Sequence, residues 1–274
     1  MARVGTSARR VAIVGGGPAG LMAAEAARAA GAEVDVYERM GSFARKFLVA
    51  GKGGLNLTHS DPPARFVERY GARSAHVGAW LERFDAAALR DWARALGVET
   101  FVGSSGRVFP LDLKAAPLLR AWLRRLRADG VRLHVRHEWR GWNTGGALVF
   151  ATPEGEVAVA ADAVVLALGG GSWPVLGSDG SWTSLLADRG VAVAPLQPSN
   201  CGFDIDWSAH FRERHAGEPV RPVAATWVGA DGTPQRRQGE FVVTEDGVEG
   251  SLVYAFSADL REAIARGGPA TIHL

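Results

Sequence analysis

Three glycines near the N-terminus have the spacing of a phosphate-binding turn. Gly15, Gly17 and Gly20 fit the pattern G-x-G-x-x-G and follow the apolar, β-branched segment 11–14. In such a turn the first glycine permits the tight bend, and the second leaves room for a pyrophosphate against the backbone. The third lets the following helix pack closely on the strand. This spacing therefore predicts a protein that binds a dinucleotide through its phosphates.

The residues around these glycines predict the elements that position them. The segment 11–14 is typical of a buried parallel strand. The Ala-rich segment 19–30 predicts a helix that ends at Gly31. Pro18 suits the first turn of that helix, where its missing N–H costs no hydrogen bond. The N-terminus of the helix then directs free N–H groups and a positive dipole at the bound phosphates.

An acidic residue follows where a ribose contact is expected. The segment 32–37 predicts a second strand, and Glu38 ends it at roughly the 20-residue distance at which dinucleotide-binding folds place an acid. A carboxylate there accepts hydrogen bonds from ribose hydroxyls and disfavours a 2′-phosphate, so NADP is not expected in this slot. The turn by itself leaves FAD and NAD open, and the alternative is a glycine turn that binds no nucleotide.

Composition and charge narrow the class of protein. The chain has 274 residues, of which 47% are hydrophobic and 22% charged, and its formal net charge is +2. These values are ordinary for a globular protein of about two domains. The basic residues are scattered apart from 120–127 and 236–237, so we expect no nucleic-acid partner. The single cysteine, Cys201, excludes an intramolecular disulfide and a C-x-x-C redox pair.

We expect neither a membrane span nor a resident metal. No apolar run reaches the length of a membrane-spanning helix, and residues 1–10 lack the apolar core of a signal peptide. A cytoplasmic location is the default expectation. His210 and His215 have no third partner in a metal-ligating pattern. The sequence leaves the oligomeric state open.

The rest of the chain predicts two domains, 1–194 and 195–274. The first continues from the glycine turn into a long glycine-rich loop at 40–61, then into amphipathic helices and a hairpin at 147–160. An apolar strand leads into a second glycine cluster at 167–180, which lacks the third glycine and the acid of a dinucleotide turn. Short strands from 195 onward predict a separate β-rich domain.

Local patterns predict further elements. Asp85 is placed to cap a helix that Gly97 ends. The segment 104–112 is typical of a turn-rich link, and 131–139 alternates like one strand. The segment 257–268 predicts one short helix in the second domain.

Five blocks together resemble the BaiN-like NAD(P)/FAD-dependent oxidoreductases, a bacterial flavoprotein family. The blocks are "VAIVGGGPAGLMAAEAA" (11–27), "RKFLVAGKGGLNLTHS" (45–60), "GRVFP" (106–110), "ALGGGSWPVLGSDGSW" (167–182) and "APLQPSNCGF" (194–203). The resemblance implies an α/β fold, with a Rossmann-like FAD-binding domain of the two-dinucleotide-binding flavoprotein type. It implies that 195–274 is the start of an inserted β-rich substrate domain. It also decides FAD over NAD for the first slot.

The resemblance further implies which residues bind FAD and what chemistry follows. They are the glycine turn, the ribose acid with its neighbour, polar positions of the 45–60 block and the second glycine cluster: Gly15, Gly16, Gly17, Pro18, Ala19, Gly20, Glu38, Arg39, Lys46, Gly53, Asn56, Thr58 and Gly169. NAD(P)H would reduce FAD, and the flavin would pass hydride to a small organic acceptor. No catalytic residue is identified. His59 is either a group that titrates near neutral pH or a scaffold residue.

The chain departs from this family in two respects. Many members have "GGGRCNVTN" where this chain has "GKGGLNLTH", so Gly54 and Leu55 replace an Arg and a Cys, which implies a different substrate. Members also continue beyond the position that matches Leu274. We therefore expect an incomplete member that holds FAD weakly or not at all unless the remaining segment is supplied. A flavin-binding protein without turnover and a NAD-binding regulatory module are the alternatives.

Overall fold

The computed structural model describes residues 8–49, 53–229, 232–267 and 269–274. Part of the predicted glycine-rich loop, residues 50–52, lies outside the described residues. The chain divides into two compact units between Ala194 and Pro195. The assignment of these units as an FAD-binding domain and an inserted substrate domain stays a prediction.

The first unit combines strands and helices. Its strands are β1 (Arg10–Val14), β2 (Glu33–Glu38), β3 (Thr58–His59), β4 (Thr100–Val102), β5 (Arg107–Pro110), β6 (Arg132–Val135), β7 (Glu138–Trp142), β8 (Leu148–Thr152), β9 (Gly155–Val159) and β10 (Ala163–Leu166). Its helices are α1 (Pro18–Ala29), α2 (Arg45–Val49), α3 (Pro63–Glu68), α4 (Ser74–Leu81), α5 (Ala86–Ala95), α6 (Ala115–Ala128) and α7 (Trp182–Ala187). Short 3-10 turns occur at Gly71–Arg73 and Pro174–Leu176.

A parallel four-stranded sheet forms the centre of this unit. The strand order is β10-β1-β2-β6, and each neighbouring pair runs parallel. Ile13, Val34 and Val36 are fully buried, as expected for parallel strands covered by helices. Leu21 of α1 and Leu126 of α6 belong to the same buried cluster. The predicted Rossmann-like α/β fold is confirmed.

The first unit also contains two antiparallel sheets. Their strands show that the predictions for 104–112 and 131–139 were wrong. One has the order β3-β5-β4 and the other β7-β8-β9. The predicted link 104–112 contains β5, because this segment forms a hairpin with β4 and also pairs with β3, which lies far earlier in the chain. The predicted single strand 131–139 is two strands in different sheets, separated at Arg136, whose φ is 57°. The predicted hairpin is present as β8 and β9.

The predicted cap of α5 is confirmed. The Asp85 Oδ1 accepts a hydrogen bond from the backbone N–H of Ala88 at 2.7 Å, which satisfies one free donor of the first helical turn. The helix ends just before Gly97, which has a φ of 79°.

The second unit has a four-stranded antiparallel sheet and two helices. The strands are β11 (Phe203–Asp204), β12 (Pro219–Val228), β13 (Pro234–Val243) and β14 (Gly247–Glu249), in the order β11-β14-β13-β12, and the helices are α8 (Ala209–His215) and α9 (Ser251–Ala265). Helix α9 begins before the predicted residue 257, because Leu252, Val253 and Phe256 pack in one cluster with the sheet. The predicted strand 270–274 forms only an isolated bridge, Thr226 to His273.

The described residues form neither a membrane-spanning helix nor a cluster of metal ligands. In them, no helix is both long and apolar enough to cross a membrane. Within the same residues, no group of three His, Cys, Asp or Glu side chains is arranged to hold a metal ion.

Candidate functional site

Contacts between backbone atoms shape the turn that joins β1 to α1. Gly15 has a φ of 109°, and a Cβ at this position would lie 2.2 Å from the carbonyl oxygen of Ala167. A Cβ on Gly20 would lie 1.9 Å from the carbonyl oxygen of Gly15. A side chain at either position would displace backbone, so the turn needs glycine at both.

The space in front of Gly17 is open. A Cβ at Gly17 would meet no atom within 4 Å. Gly17 is also the N-cap of α1, Pro18 is the first helical residue, and no side chain caps the helix. The N–H groups of the first turn therefore have no partner within the helix. An uncapped helix N-terminus beside open space fits a phosphate group.

Glu38 connects the ends of β1 and β2. Its Oε2 accepts a hydrogen bond from the backbone N–H of Gly16 at 2.9 Å, and its Oε1 accepts one from that of Met40 at 2.8 Å. The backbone N–H of Gly15 donates to the carbonyl of Tyr37 at 2.8 Å. Each carboxylate oxygen can accept more than one hydrogen bond, so Glu38 keeps capacity for a ribose hydroxyl.

A cleft runs along this turn and collects most of the predicted cofactor residues. The predicted residues that line it are Gly15, Gly17, Pro18, Ala19, Glu38, Arg39, Lys46 and Gly169. Gly16 and Gly20 are not among the lining residues. They shape the turn instead, because a Cβ on Gly16 would lie 2.3 Å from the ring of Phe43.

Three predicted residues are not brought to the cleft. Gly53 and Asn56 are exposed, and Thr58 pairs with Val108 in the sheet of β3, β5 and β4. Residues 50–52, which join them to α2, lie outside the described residues. A role of Gly53, Asn56 and Thr58 in FAD binding stays a prediction.

Two cations connect the segment after β2 to the second glycine cluster. The Arg39 Nη1 lies 2.9 Å from Oδ2 of Asp179. The Lys46 Nζ donates to the hydroxyl oxygens of Ser172 and Ser178, at 3.2 Å each. Lys46 thus has neutral partners among the described residues, and its positive charge stays available for an anion.

Asp179 is a cleft residue that the sequence motifs did not reveal. Its Oδ1 accepts hydrogen bonds from the backbone N–H of Ser181 at 3.1 Å and from the hydroxyl of Ser181 at 2.8 Å. Burial raises the pKa of Asp179, but the Ser181 hydrogen bonds and the Arg39 guanidinium outweigh it and lower the pKa to about 2. Asp179 is therefore ionised at neutral pH. The glycine cluster at 167–180 and the family block 167–182 pointed to this loop, but neither singled out Asp179.

Aromatic side chains also line the cleft. They are Tyr37, Phe47, His137, Trp139 and Trp182. Tyr37 stacks on His134, with ring centroids 4.7 Å apart and an angle of 11° between the planes. Burial, followed by the nearby Asp35 carboxylate, raises the pKa of Tyr37 to about 12. The phenol is therefore neutral, and this end of the cleft suits a flat apolar ring.

His59 lies away from this cleft. Its Nε2 is 3.0 Å from the carbonyl oxygen of Ser105, and its Nδ1 accepts a hydrogen bond from the backbone N–H of Asp61 at 3.1 Å. The tautomer with a proton on Nε2 satisfies both contacts. His59 lines instead a second cleft of about 630 Å³ beside α3, α4 and α5. This geometry favours the scaffold interpretation of His59.

The fold and the turn define a Rossmann-type α/β protein. The family model described as "HI0933-like protein Rossmann domain" matches residues 9–268, and the chain belongs to this family. It is 28% identical over 262 residues to a "3-dehydro-bile acid delta(4,6)-reductase" of Clostridium scindens (strain ATCC 35704 / DSM 5676 / VPI 13733 / 19). That match covers 94% of this chain and 62% of the relative, so the chain spans less than two thirds of the relative's length. The flavoprotein resemblance seen in the sequence is confirmed.

Solved structures show partial likeness. An open conformation of a flavocytochrome c3 fumarate reductase has a TM-score of 0.49 and 18% identity, covering 83% of this chain and 44% of that one. The 3-ketosteroid-delta4-(5alpha)-dehydrogenase of Rhodococcus jostii RHA1 has a TM-score of 0.45 and 20% identity, covering 62% and 48%.

Proposed function

We propose that this chain binds FAD, with the ADP half along the turn between β1 and α1. The observation that carries the proposal is the uncapped N-terminus of α1, which faces open space at Gly17 while Glu38 ends β2 beside the same turn. Phosphate oxygens suit the free N–H groups of that helix, and ribose hydroxyls suit the Glu38 carboxylate.

The surrounding residues complete a site for an anionic cofactor. The Lys46 ammonium has only hydroxyl partners among the described residues, so it is suited to neutralise a phosphate charge. The aromatic residues that line the cleft provide apolar contact area and exclude water. Membership of the family and the similarity to the reductase support FAD over NAD.

We infer that the whole protein is an oxidoreductase in which NAD(P)H is the electron donor. Bound FAD supplies the hydride-transfer chemistry, and the protein supplies orientation and a dry environment. The acceptor would be a small organic molecule. The name of the Clostridium scindens relative, a reductase of 3-dehydro-bile acids, supports an unsaturated ring compound.

The first experiment is the visible absorption spectrum of the purified chain before and after adding FAD, followed by gel filtration. Because the sequence predicts weak FAD retention, we expect bands at about 370 and about 450 nm, typical of an oxidised flavin, to travel with the protein when FAD is present in the running buffer. Gly17→Ala places a methyl group in the open space at the turn, and we expect this variant to bind a smaller amount of flavin. A colourless protein that stays colourless with FAD would contradict the proposal.

Two further measurements separate the alternatives. The first is the anaerobic addition of NADH or NADPH. Loss of the flavin band at about 450 nm indicates an enzyme. A flavin that neither donor reduces indicates a binding protein without turnover. Thermal protection by NAD but not by FAD would favour the NAD-binding regulatory module.

A further inference from the structure

We propose that Asp179 determines the nucleotide specificity of the cleft: by pairing with Arg39, it prevents that guanidinium from binding a ribose 2′-phosphate. The inference rests on the proposed function, because it requires the adenosine half of a dinucleotide beside Glu38. The second glycine cluster, which contains Asp179, would then help to discriminate between nucleotides, although it has no dinucleotide fingerprint of its own.

Without its partner Asp179, Arg39 would be in a position to bind a ribose 2′-phosphate. It follows Glu38 directly, and both residues line the cleft. In dinucleotide-binding folds the acid at the end of this strand selects a free ribose, and a nearby arginine accommodates a 2′-phosphate. The planar guanidinium suits this task, since it forms two parallel hydrogen bonds with a phosphate. Glu38 therefore favours a ribose with a free 2′-hydroxyl, whereas Arg39 favours a ribose with a 2′-phosphate.

The ion pair with Asp179 resolves this conflict. Arg39 Nη1 and Asp179 Oδ2 are 2.9 Å apart, and the two side chains are 29% and 30% exposed. Partial burial reduces the screening of the pair by solvent. Asp179 neutralises the charge of Arg39 and adds a second carboxylate, besides Glu38, to the lining of the cleft. Together the two acids disfavour a phosphate at this end of the cleft.

Other basic side chains in the cleft must be separated from Arg39 by experiment. Arg45 Nε donates to the Ser42 hydroxyl at 2.9 Å, and Lys46 donates to Ser172 and Ser178. Neither forms an ion pair within the described part of the chain. A phosphate captured by Arg45 or Lys46 would not depend on Asp179.

The two carboxylate oxygens of Asp179 have different partners, and this gives a selective variant. Oδ1 accepts from Ser181, whereas Oδ2 pairs with Arg39. Asp179→Asn keeps the Oδ1 acceptor that holds the turn and removes the negative charge facing Arg39. Ser181→Ala is the matched control, because it removes a hydrogen bond to Oδ1 and leaves the ion pair.

The test compares two ligands that differ only in the 2′-phosphate. AMP and adenosine 2′,5′-bisphosphate are titrated into the full chain by calorimetry at constant ionic strength. We expect the original protein and Ser181→Ala to bind AMP at least about tenfold more tightly than the bisphosphate. Asp179→Asn is expected to reduce that preference by about fivefold or more, since Arg39 becomes free to bind phosphate. Adding Arg39→Gln to Asp179→Asn is expected to restore it.

The outcomes distinguish this inference from the proposed function. If AMP binds and Asp179→Asn leaves the preference unchanged, the inference is wrong and the dinucleotide slot stands. If Arg45→Gln or Lys46→Gln, rather than Arg39→Gln, reverses the effect of Asp179→Asn, Arg39 is not the group involved and the inference is again wrong. If neither AMP nor FAD binds the original protein, the proposed function fails and the inference fails with it. Circular dichroism of each variant checks that it is folded.

Discussion

The Glu38 carboxylate accepts a hydrogen bond from the backbone N–H of Gly16 at 2.9 Å, so the acid that ends β2 holds the turn that ends β1. Its other oxygen holds the backbone of Met40, where the chain leaves the sheet. Glu38 therefore has a structural task in addition to its predicted contact with a ribose.

Glu38→Ala is expected to lower the free energy of unfolding by roughly 1–3 kcal/mol, because two backbone N–H groups lose a charged acceptor. Glu38→Gln keeps a carbonyl acceptor and is expected to lose less. Urea denaturation of both variants measures the difference. An alanine variant as stable as the original protein would show that these hydrogen bonds contribute nothing.

Two glycines of the same turn are expected to respond differently to alanine. Gly20→Ala places a Cβ 1.9 Å from the carbonyl oxygen of Gly15, and we expect a loss of stability of about 2 kcal/mol or more. Gly17→Ala meets no atom within 4 Å, so its unfolding free energy is expected to change by less than about 1 kcal/mol. FAD binding by Gly17→Ala is nevertheless expected to weaken. Equal stability of the two variants would contradict the packing described for the turn.

The buried carboxylate of Asp35 predicts a pH-dependent stability. Arg132 binds both of its oxygens, at 2.7 and 2.8 Å, and His134 Nε2 lies 2.8 Å from Oδ1. Burial raises the pKa of Asp35, but hydrogen bonds and charge from Arg132 and His134 outweigh it and lower the pKa below its ordinary value of 3.8. Ionised Asp35 therefore favours the folded state. This contribution is complete above the unfolded pKa and is lost as the pH falls through the folded pKa.

We expect Asp35→Asn to be less stable than the original protein by about 2–3 kcal/mol at pH 7, since Arg132 loses its charged partner. The difference is expected to shrink when the pH is lowered below 3.8. Guanidinium denaturation across this pH range measures it. Glu154→Gln, at an exposed acid in the turn between β8 and β9, is the control. A difference that stays constant with pH would contradict the stabilising role of ionised Asp35.

The packing of His59 against Gly106 gives a further prediction. Gly106 has a φ of 78°, and a Cβ there would lie 2.5 Å from the His59 ring. Gly146 has a φ of 81° and would meet no atom. Gly146→Ala is expected to lower the free energy of unfolding by about 1 kcal/mol through backbone strain alone. Gly106→Ala is expected to lower it by more, because the new methyl group also meets the His59 ring. Adding His59→Ala to Gly106→Ala is expected to recover part of the excess. No recovery in this double-mutant comparison would show that the clash is not with the ring.

The parallel core could be predicted because its signals are local. The apolar strand before Gly15, the Ala-rich helix that contains Gly20 and the acid at Glu38 all lie within about thirty residues, the size of one βαβ unit. The Asp85 cap was equally predictable, since a cap depends on a residue and its next few neighbours.

The missed features depend on contacts between distant parts of the chain. Arg39 and Asp179 are separated by 140 positions, so no local pattern relates them. The alternation over 131–139 does not reveal that Arg136 takes a positive φ and sends β7 to another sheet. The start of α9 could not be predicted from the sequence, because Leu252 and Val253 fit a strand as well as a helix until they pack against the sheet that contains β13.

The junction of Gly15, Gly20 and Ala167 consists of main chain packed on main chain. Main-chain contacts therefore set its shape at these three residues, and the Glu38 side chain holds the neighbouring Gly16. The proposed nucleotide would meet main chain that is already ordered, so we expect little chain entropy to be lost there on binding. We therefore expect the proposed binding at this turn to need little movement of the main chain, and adjustment to different nucleotides to depend on the side chains around it.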